Sequence, residues 1–260
     1  MPELPEVEAV CRRLREEALG AKIRRLEIRR PLICRPESAE EIEAAARNRK
    51  IDSIERRGKH ILLGLSGGST LYVHLRMTGN LYVIPDYRFA PVSARALFEL
   101  GDSRAIVFDD PRALGKLTRN ADLEHLGIEP LTPAFTAEKL KEMLSSTRQP
   151  AKTFLMDQRR IAGLGNIYAA EALFHAKQDP RKPIAPKKAP AMYSAIVGVL
   201  ADAVHSAYST YSKPGHLLEA EEQKLMVYGR EGEPCRVCGR AIRRIPQGGR
   251  STYYCAGCQK

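Results

Sequence analysis

The chain has 260 residues, of which 43% are hydrophobic and 28% charged, which is enough apolar material for a sizeable core and excludes wholesale disorder. Lys and Arg number 42 against 31 Asp and Glu, a formal net charge of +11 with a pI near 9.5, and such an excess points to a polyanionic partner such as nucleic acid. No stretch approaches the ~18 apolar residues of a membrane span, and MPELPEVEAV carries two acids and no cationic leader, so a signal peptide is not expected.

Residues 2–20 are predicted to form an amphipathic helix. Val7, Val10, Cys11, Leu14 and Ala18 recur at helical spacing, Pro5 suits the first turn, and Gly20 suits the position after the end. Residues 21–125 read as strands. HILLGL, TLYVHL, NLYVIP, ALFEL and AIVFDD are short, β-branched or aromatic, and separated by turn residues. Residues 126–136 hold two prolines and a glycine and are read as a linker. Helical periodicity follows in AEKLKEMLSS, KTFLMDQRRIAG, NIYAAEALFHA and APAMYSAIVGVLADAVHSAY. The expected organisation is α+β and multidomain: residues 1–125, then 137–231, then a Cys-rich module over 232–260.

The tail carries Cys235, Cys238, Cys255 and Cys258 in a C-x₂-C-x₁₆-C-x₂-C pattern, the spacing of a structural zinc site. Each CxxC pair brings two thiolates to one ion, and four thiolates close a tetrahedron with no position left for a reactive water. Six cysteines with four in the last 26 residues fit metal binding in a reducing cytoplasm better than a disulfide scaffold. The zinc is expected to supply the folding energy that so small a module cannot draw from a core. Arg236, Arg240, Arg243, Arg244, Arg250 and Lys260 oppose only Glu231 and Glu233 there. The segment between the cysteine pairs reads as a β-hairpin able to grip phosphate.

At the other end, Pro2 is small enough to permit removal of Met1, which would expose a secondary amine. An α-amino group has a pKa of about 7.7–8.0, so much more of it is unprotonated at pH 7 than of a lysine, and it is able to form an iminium with an aldehyde-like carbon. Glu3 and Glu6 lie beside it: one is suited to general acid–base work and the other to binding N–H groups at the helix start. Proline and glutamate are also ordinary capping residues in this position.

An ordered series of motifs carries a resemblance. MPELPEVE, RRGKHILL, HLRMTG, DDPRALG, LGIEPL, QRRIAGLGNIYAAEALF, VYGREGEPCRVCG and RSTYYCAGCQ, running from residue 2 to the C-terminus, resemble the bacterial formamidopyrimidine-DNA glycosylases, whose family includes endonuclease VIII. The resemblance implies an N-terminal β-sandwich with a leading helix, a helix–two-turn–helix domain and a zinc finger. It implies a monomeric, cytoplasmic bacterial enzyme that excises oxidised purines such as 8-oxoguanine and formamidopyrimidines from double-stranded DNA and then cuts the strand. Oxidised pyrimidines as substrates, or a non-catalytic zinc-finger protein that binds damaged DNA, are the alternatives.

By the same resemblance Pro2 is the nucleophile, Glu3 the acid that assists ribose opening, and Lys59 a proton-moving residue beside the lesion. Arg250 is the finger arginine on phosphate, and Asn166 binds backbone phosphate. Met77 and Arg112 fill the gap left by the flipped nucleotide, with cytosine expected opposite Arg112. Leu114 stands where the family has phenylalanine, and His74 and Lys152 are further expected DNA contacts. The segment KPGHLLEAEEQKLMVYGR departs from the loop expected to cap flipped 8-oxoguanine.

Overall fold

The computed structural model describes residues 2–210 and 225–260. Its contacts divide the chain into two units. The first comprises the chain up to Leu123 and the end of helix α6 (Ala189–Thr210) from Val204. The second comprises Glu124–Ala203 and the described C-terminal residues. Among the described residues, no helix is long and apolar enough to cross a membrane.

In the first unit, α1 (Leu4–Ala18) has Pro5 in its first turn and Gly20, at φ 82°, just beyond its end. All five apolar residues that share the predicted face are buried. The strands are β1 (Ile23–Ile28), β2 (Ile51–Arg57), β3 (His60–Leu65), β4 (Ser69–His74), β5 (Asn80–Ile84), β6 (Ala94–Leu100), β7 (Ala105–Asp109) and β8 (Lys116–Thr118). They form two antiparallel sheets, ordered β1-β6-β7-β5 and β2-β3-β4-β8. One apolar cluster takes side chains from both sheets, including Phe98 and Phe108 from one and Ile61, Leu63 and Val73 from the other. This is the predicted sandwich. Each such fully buried side chain contributes roughly 1.5–3 kcal/mol. In β3 every second residue is buried, as a sheet with one face on a core requires.

A helix within the predicted strand region was not expected. Helix α2 (Ala39–Ala46) starts at Ser38, whose hydroxyl accepts the Glu41 N–H at 3.2 Å while the Glu41 carboxylate accepts the Ser38 N–H at 3.0 Å. Ser-x-x-Glu is a capping box, so the signal was present in the sequence.

The second unit contains α3 (Ala137–Ser145), α4 (Ala151–Met156), α5 (Asn166–His175) and α6 as far as Ala203, with a hairpin of β9 (Arg243–Gln247) and β10 (Arg250–Tyr254). Residues 126–136 are fastened to it, since the Gly127 N–H donates to Gln158 O at 2.8 Å and Ile128 bridges Ile161. Helix α4 ends at Met156, well short of the predicted helical run. Local side-chain bonds compete for the backbone beyond it. Asp157 Oδ1 accepts the Arg159 N–H, Gln158 Nε2 donates to Leu164 O at 2.7 Å, and Gln158 Oε1 accepts the Gly163 N–H at 2.9 Å.

Candidate functional site

The start of α1 brings Pro2, Glu3 and Glu6 together. Pro2 is half-buried, while Glu3, at the N-cap, is fully buried. The Glu6 carboxyl group accepts the Glu3 N–H at 2.7 Å. The Glu3 carboxyl group accepts the Glu6 N–H in return, so the pair forms a capping box and both carboxyl groups bind an N–H at the helix start.

Helix α1 packs against β2 and β3. The turn joining these strands consists of Gly58 and Lys59, with Gly58 at φ 58°. Positive φ at the first turn residue alone is the pattern of a type II′ hairpin, which favours glycine there. Lys59 is thereby presented at the tip. Arg56 joins the turn to the helix, with Nε donating to Glu8 Oε2 at 3.0 Å and Nη1 to Gly58 O at 3.0 Å. Arg12 also reaches Glu8, at 3.1 Å. Burial opposes ionisation of Glu8, but Arg56, Arg12 and Arg15 hold its pKa below the usual carboxylate value. Glu8 and Arg56 lie 48 residues apart, and nothing in the sequence marks them as a pair.

His74 ends β4 and packs edge-on against His60, with ring centroids 4.6 Å apart. Burial, followed by nearby His60, Arg76 and Lys59, lowers its pKa to about 3, so the ring is neutral at pH 7. Its Nδ1 accepts the Arg76 N–H at 3.0 Å, which puts the ring proton on Nε2, where it can donate to a phosphate oxygen. Beyond it, Met77 is 44% exposed on the β4–β5 loop, while Arg112 and Leu114, the latter 42% exposed, lie on the β7–β8 loop.

The second unit holds the remaining site residues. Gly248 and Gly249, at φ 58° and 71°, form a two-residue turn of type I′ between β9 and β10. Exposed Arg250 follows the turn directly. Lys152 and Asn166 brace this strand. Lys152 is only 2% exposed and its amine donates to Thr252 Oγ1 at 3.2 Å, while Asn166 Nδ2 donates to Ser251 O at 3.1 Å. A groove of about 310 Å³ is lined by Lys152, Asp157, Arg159, Gln247 and Arg250, so cations predominate.

The four tail cysteines converge. Their sulfurs all lie within 4.8 Å of one another, with Cys235–Cys258 at 3.8 Å and Cys238–Cys255 at 3.4 Å. Four sulfurs tetrahedral at about 2.3 Å from a zinc ion sit about 3.8 Å apart, so the residues fit that ion. The Val237 N–H donates to Cys235 Sγ at 3.5 Å, which steadies the first CxxC turn. Cys11, by contrast, is buried in the sandwich core, and burial pushes its thiol up to about 12.

Three family descriptions match in series: the formamidopyrimidine-DNA glycosylase N-terminal domain over residues 1–117, its H2TH domain over 126–214, and the zinc finger found in FPG and IleRS over 232–260. A formamidopyrimidine-DNA glycosylase of Thermus thermophilus is 40% identical over 275 residues, covering 100% of this chain and 98% of the relative. That of Carboxydothermus hydrogenoformans is 37% identical over 266 residues, with both chains covered completely. The crystal structure of the MutM (Fpg) protein from Thermus thermophilus superposes with a TM-score of 0.85 at 39% identity, over 99% of this chain and 98% of that one. A complex of Lactococcus lactis Fpg with DNA containing an abasic site superposes with a TM-score of 0.88 at 29% identity, over the full length of both. The fold and site define a DNA-repair glycosylase with a zinc finger. The chain belongs to the formamidopyrimidine-DNA glycosylase family, and its four tail cysteines are the ligands of one structural zinc ion.

Proposed function

We propose that this protein is a bifunctional base-excision enzyme that removes 8-oxoguanine and formamidopyrimidines from double-stranded DNA and then cleaves the strand. The observation that carries this reading is the start of α1: Pro2 beside a fully buried Glu3, with Glu6 engaged by the Glu3 N–H. Complexes of Lactococcus lactis Fpg with abasic-site DNA and with N7-benzyl-Fapy-dG DNA support it.

After removal of Met1, which lies outside the described residues, the Pro2 nitrogen attacks C1′ of the damaged nucleotide. The glycosidic bond breaks, its electrons leave with the base, and the base takes up a proton. Glu3 protonates O4′ as the C1′–O4′ bond opens, leaving an iminium between Pro2 and C1′. Loss of a C2′ proton then expels the 3′ phosphate, and a further elimination expels the 5′ phosphate. Hydrolysis of the iminium frees Pro2. Lys59 moves protons beside the lesion, and His74, Lys152, Asn166 and Arg250 engage or brace the contacts to phosphate. Met77, Arg112 and Leu114 fill the gap left by the flipped nucleotide, whose extrusion costs a few kcal/mol.

The protein acts as a monomer in the bacterial cytoplasm. Paired oligonucleotides test the substrate assignment. Excision of 8-oxoguanine opposite cytosine faster than of thymine glycol is expected. The reverse order would reassign the enzyme to oxidised pyrimidines, and binding without cleavage of either would leave a damage-binding protein.

A further inference from the structure

The three residues read as gap-filling come from two loops remote in sequence. In each loop, the residue before the exposed apolar tip is a non-glycine in the left-handed region: Arg76 at φ 57° precedes Met77, and Ala113 at φ 51° precedes Leu114. Such conformations persist only where the surroundings hold them.

Both loops are held by one side chain. Asp110 is fully buried. Its Oδ1 accepts the Thr78 hydroxyl at 2.5 Å, one residue after Met77, and its Oδ2 accepts the Gly115 N–H at 2.7 Å, one residue after Leu114. The backbone of Asp110 is fixed as well. Its N–H donates to Ser93 O at 3.1 Å, and its carbonyl accepts from Ala113 N at 3.0 Å and Arg95 Nε at 2.6 Å. Arg95 Nη2 also donates to Pro111 O at 2.9 Å. No slack remains around the anchor points. A Cβ on Gly115 would lie 2.4 Å from Phe108 Cζ, and one on Gly79 would lie 2.4 Å from Leu75 O.

We propose that Asp110 is a positioning residue that locks the β4–β5 and β7–β8 loops into a single wedge, so that Met77, Arg112 and Leu114 enter the duplex together and in register. The inference rests on the reading of those three residues as the inserted ones. Asp110 touches neither base nor sugar in this role. It acts through the loops, at the step in which the vacated stack is filled.

Thr78→Val removes the donor at nearly constant volume, and Thr78→Ser retains it. The full-length, zinc-loaded protein is mixed with a lesion duplex carrying 2-aminopurine beside the lesion, and the fluorescence rise reports unstacking and filling. For Thr78→Val, and at least as strongly for Asp110→Asn, we expect the rise and kcat to slow about tenfold, the rate equivalent of one lost hydrogen bond. KM should hold, as should borohydride trapping on a single-stranded abasic oligonucleotide, which has no stack to enter, while the melting temperature falls by several degrees, the cost of one lost buried hydrogen bond. Thr78→Ser should restore the wild-type rate. Met77→Ala separates the two readings. If it leaves the fluorescence unchanged, the gap-filling reading itself fails. If it abolishes the rise while Thr78→Val and Asp110→Asn behave as wild type, the clamp alone is overturned. Equal loss of single-strand trapping would also overturn it, because Asp110 would then be supporting the fold rather than the wedge.

Discussion

Replacing Arg56 by methionine keeps an unbranched apolar stem and removes the guanidinium. Arg56 is 9% exposed and its guanidinium bonds both Glu8 and Gly58 O, each at 3.0 Å. Removing one partner of a buried ion pair costs about 3–5 kcal/mol when the other charge is left unpaired. Here Glu8 keeps Arg12 at 3.1 Å and Arg15 at 3.5 Å, so its charge stays compensated. A loss of about 2–3 kcal/mol follows, with the Gly58 bond counted within it. For a unit of this size that corresponds to a fall in Tm of roughly 10 °C. The same substitution frees the turn that presents Lys59, so kcat for excision should fall about tenfold with little change in KM. Glu8→Gln should cost less, about 1 kcal/mol, because Arg56 keeps Gly58 O. Thermal unfolding followed by circular dichroism, together with steady-state excision kinetics, reads both effects. An Arg56→Met protein within about 0.5 kcal/mol of wild type, the scatter of an ordinary surface substitution, and with unchanged kcat would refute the coupling of helix to turn.

Other perturbations address the remaining parts of the molecule. Stripping the zinc, or Cys255→Ser at a fully buried ligand, should unfold the finger, since structural zinc supplies about 10–16 kcal/mol in finger peptides; DNA affinity should collapse while the sandwich keeps its own transition, and a zinc-free protein with intact affinity would exclude this. His74 has a folded pKa of about 3 against an ordinary 6.5, so the unfolded chain takes up the proton first and stability falls as the pH drops below 6.5. Between pH 6.5 and about 5 wild type should lose up to about 2 kcal/mol more than His74→Gln in urea titrations, and parallel curves would contradict it. Glu171 accepts the N–H groups of Met226, Val227 and Tyr228 at 2.7, 3.0 and 2.9 Å. Glu171→Gln should lose about 3 kcal/mol there and speed exchange of those amides about 100-fold, whereas unchanged protection would show that they are held by something else.

Features carried by local pattern were legible in the sequence. HILLGL became β3 because its alternation matches a one-faced strand, and α1 followed its 3.6-residue period. The cysteine cluster followed from spacing alone. Helix α2 is hard to read because a short helix among strands offers little periodicity, and only its capping box marks it. The supports of the site were invisible for a different reason. Thr78 and Asp110 lie 32 residues apart, and Arg56 and Glu8 lie 48 apart, so only strand pairing and helix packing bring them together. Lys152, read as a DNA contact, is buried and braces Thr252 beside Arg250. The unusual capping segment lies outside the described residues over 213–224.

The most direct measurement is borohydride reduction of the protein on 8-oxoguanine duplex DNA, followed by peptide mass analysis of the cross-linked product. A sugar remnant on the nitrogen of Pro2, lost together with strand cleavage when the terminus is acetylated, is the expected result. Attachment to Lys59 or another internal amine, or full cleavage by the acetylated protein, would contradict the account.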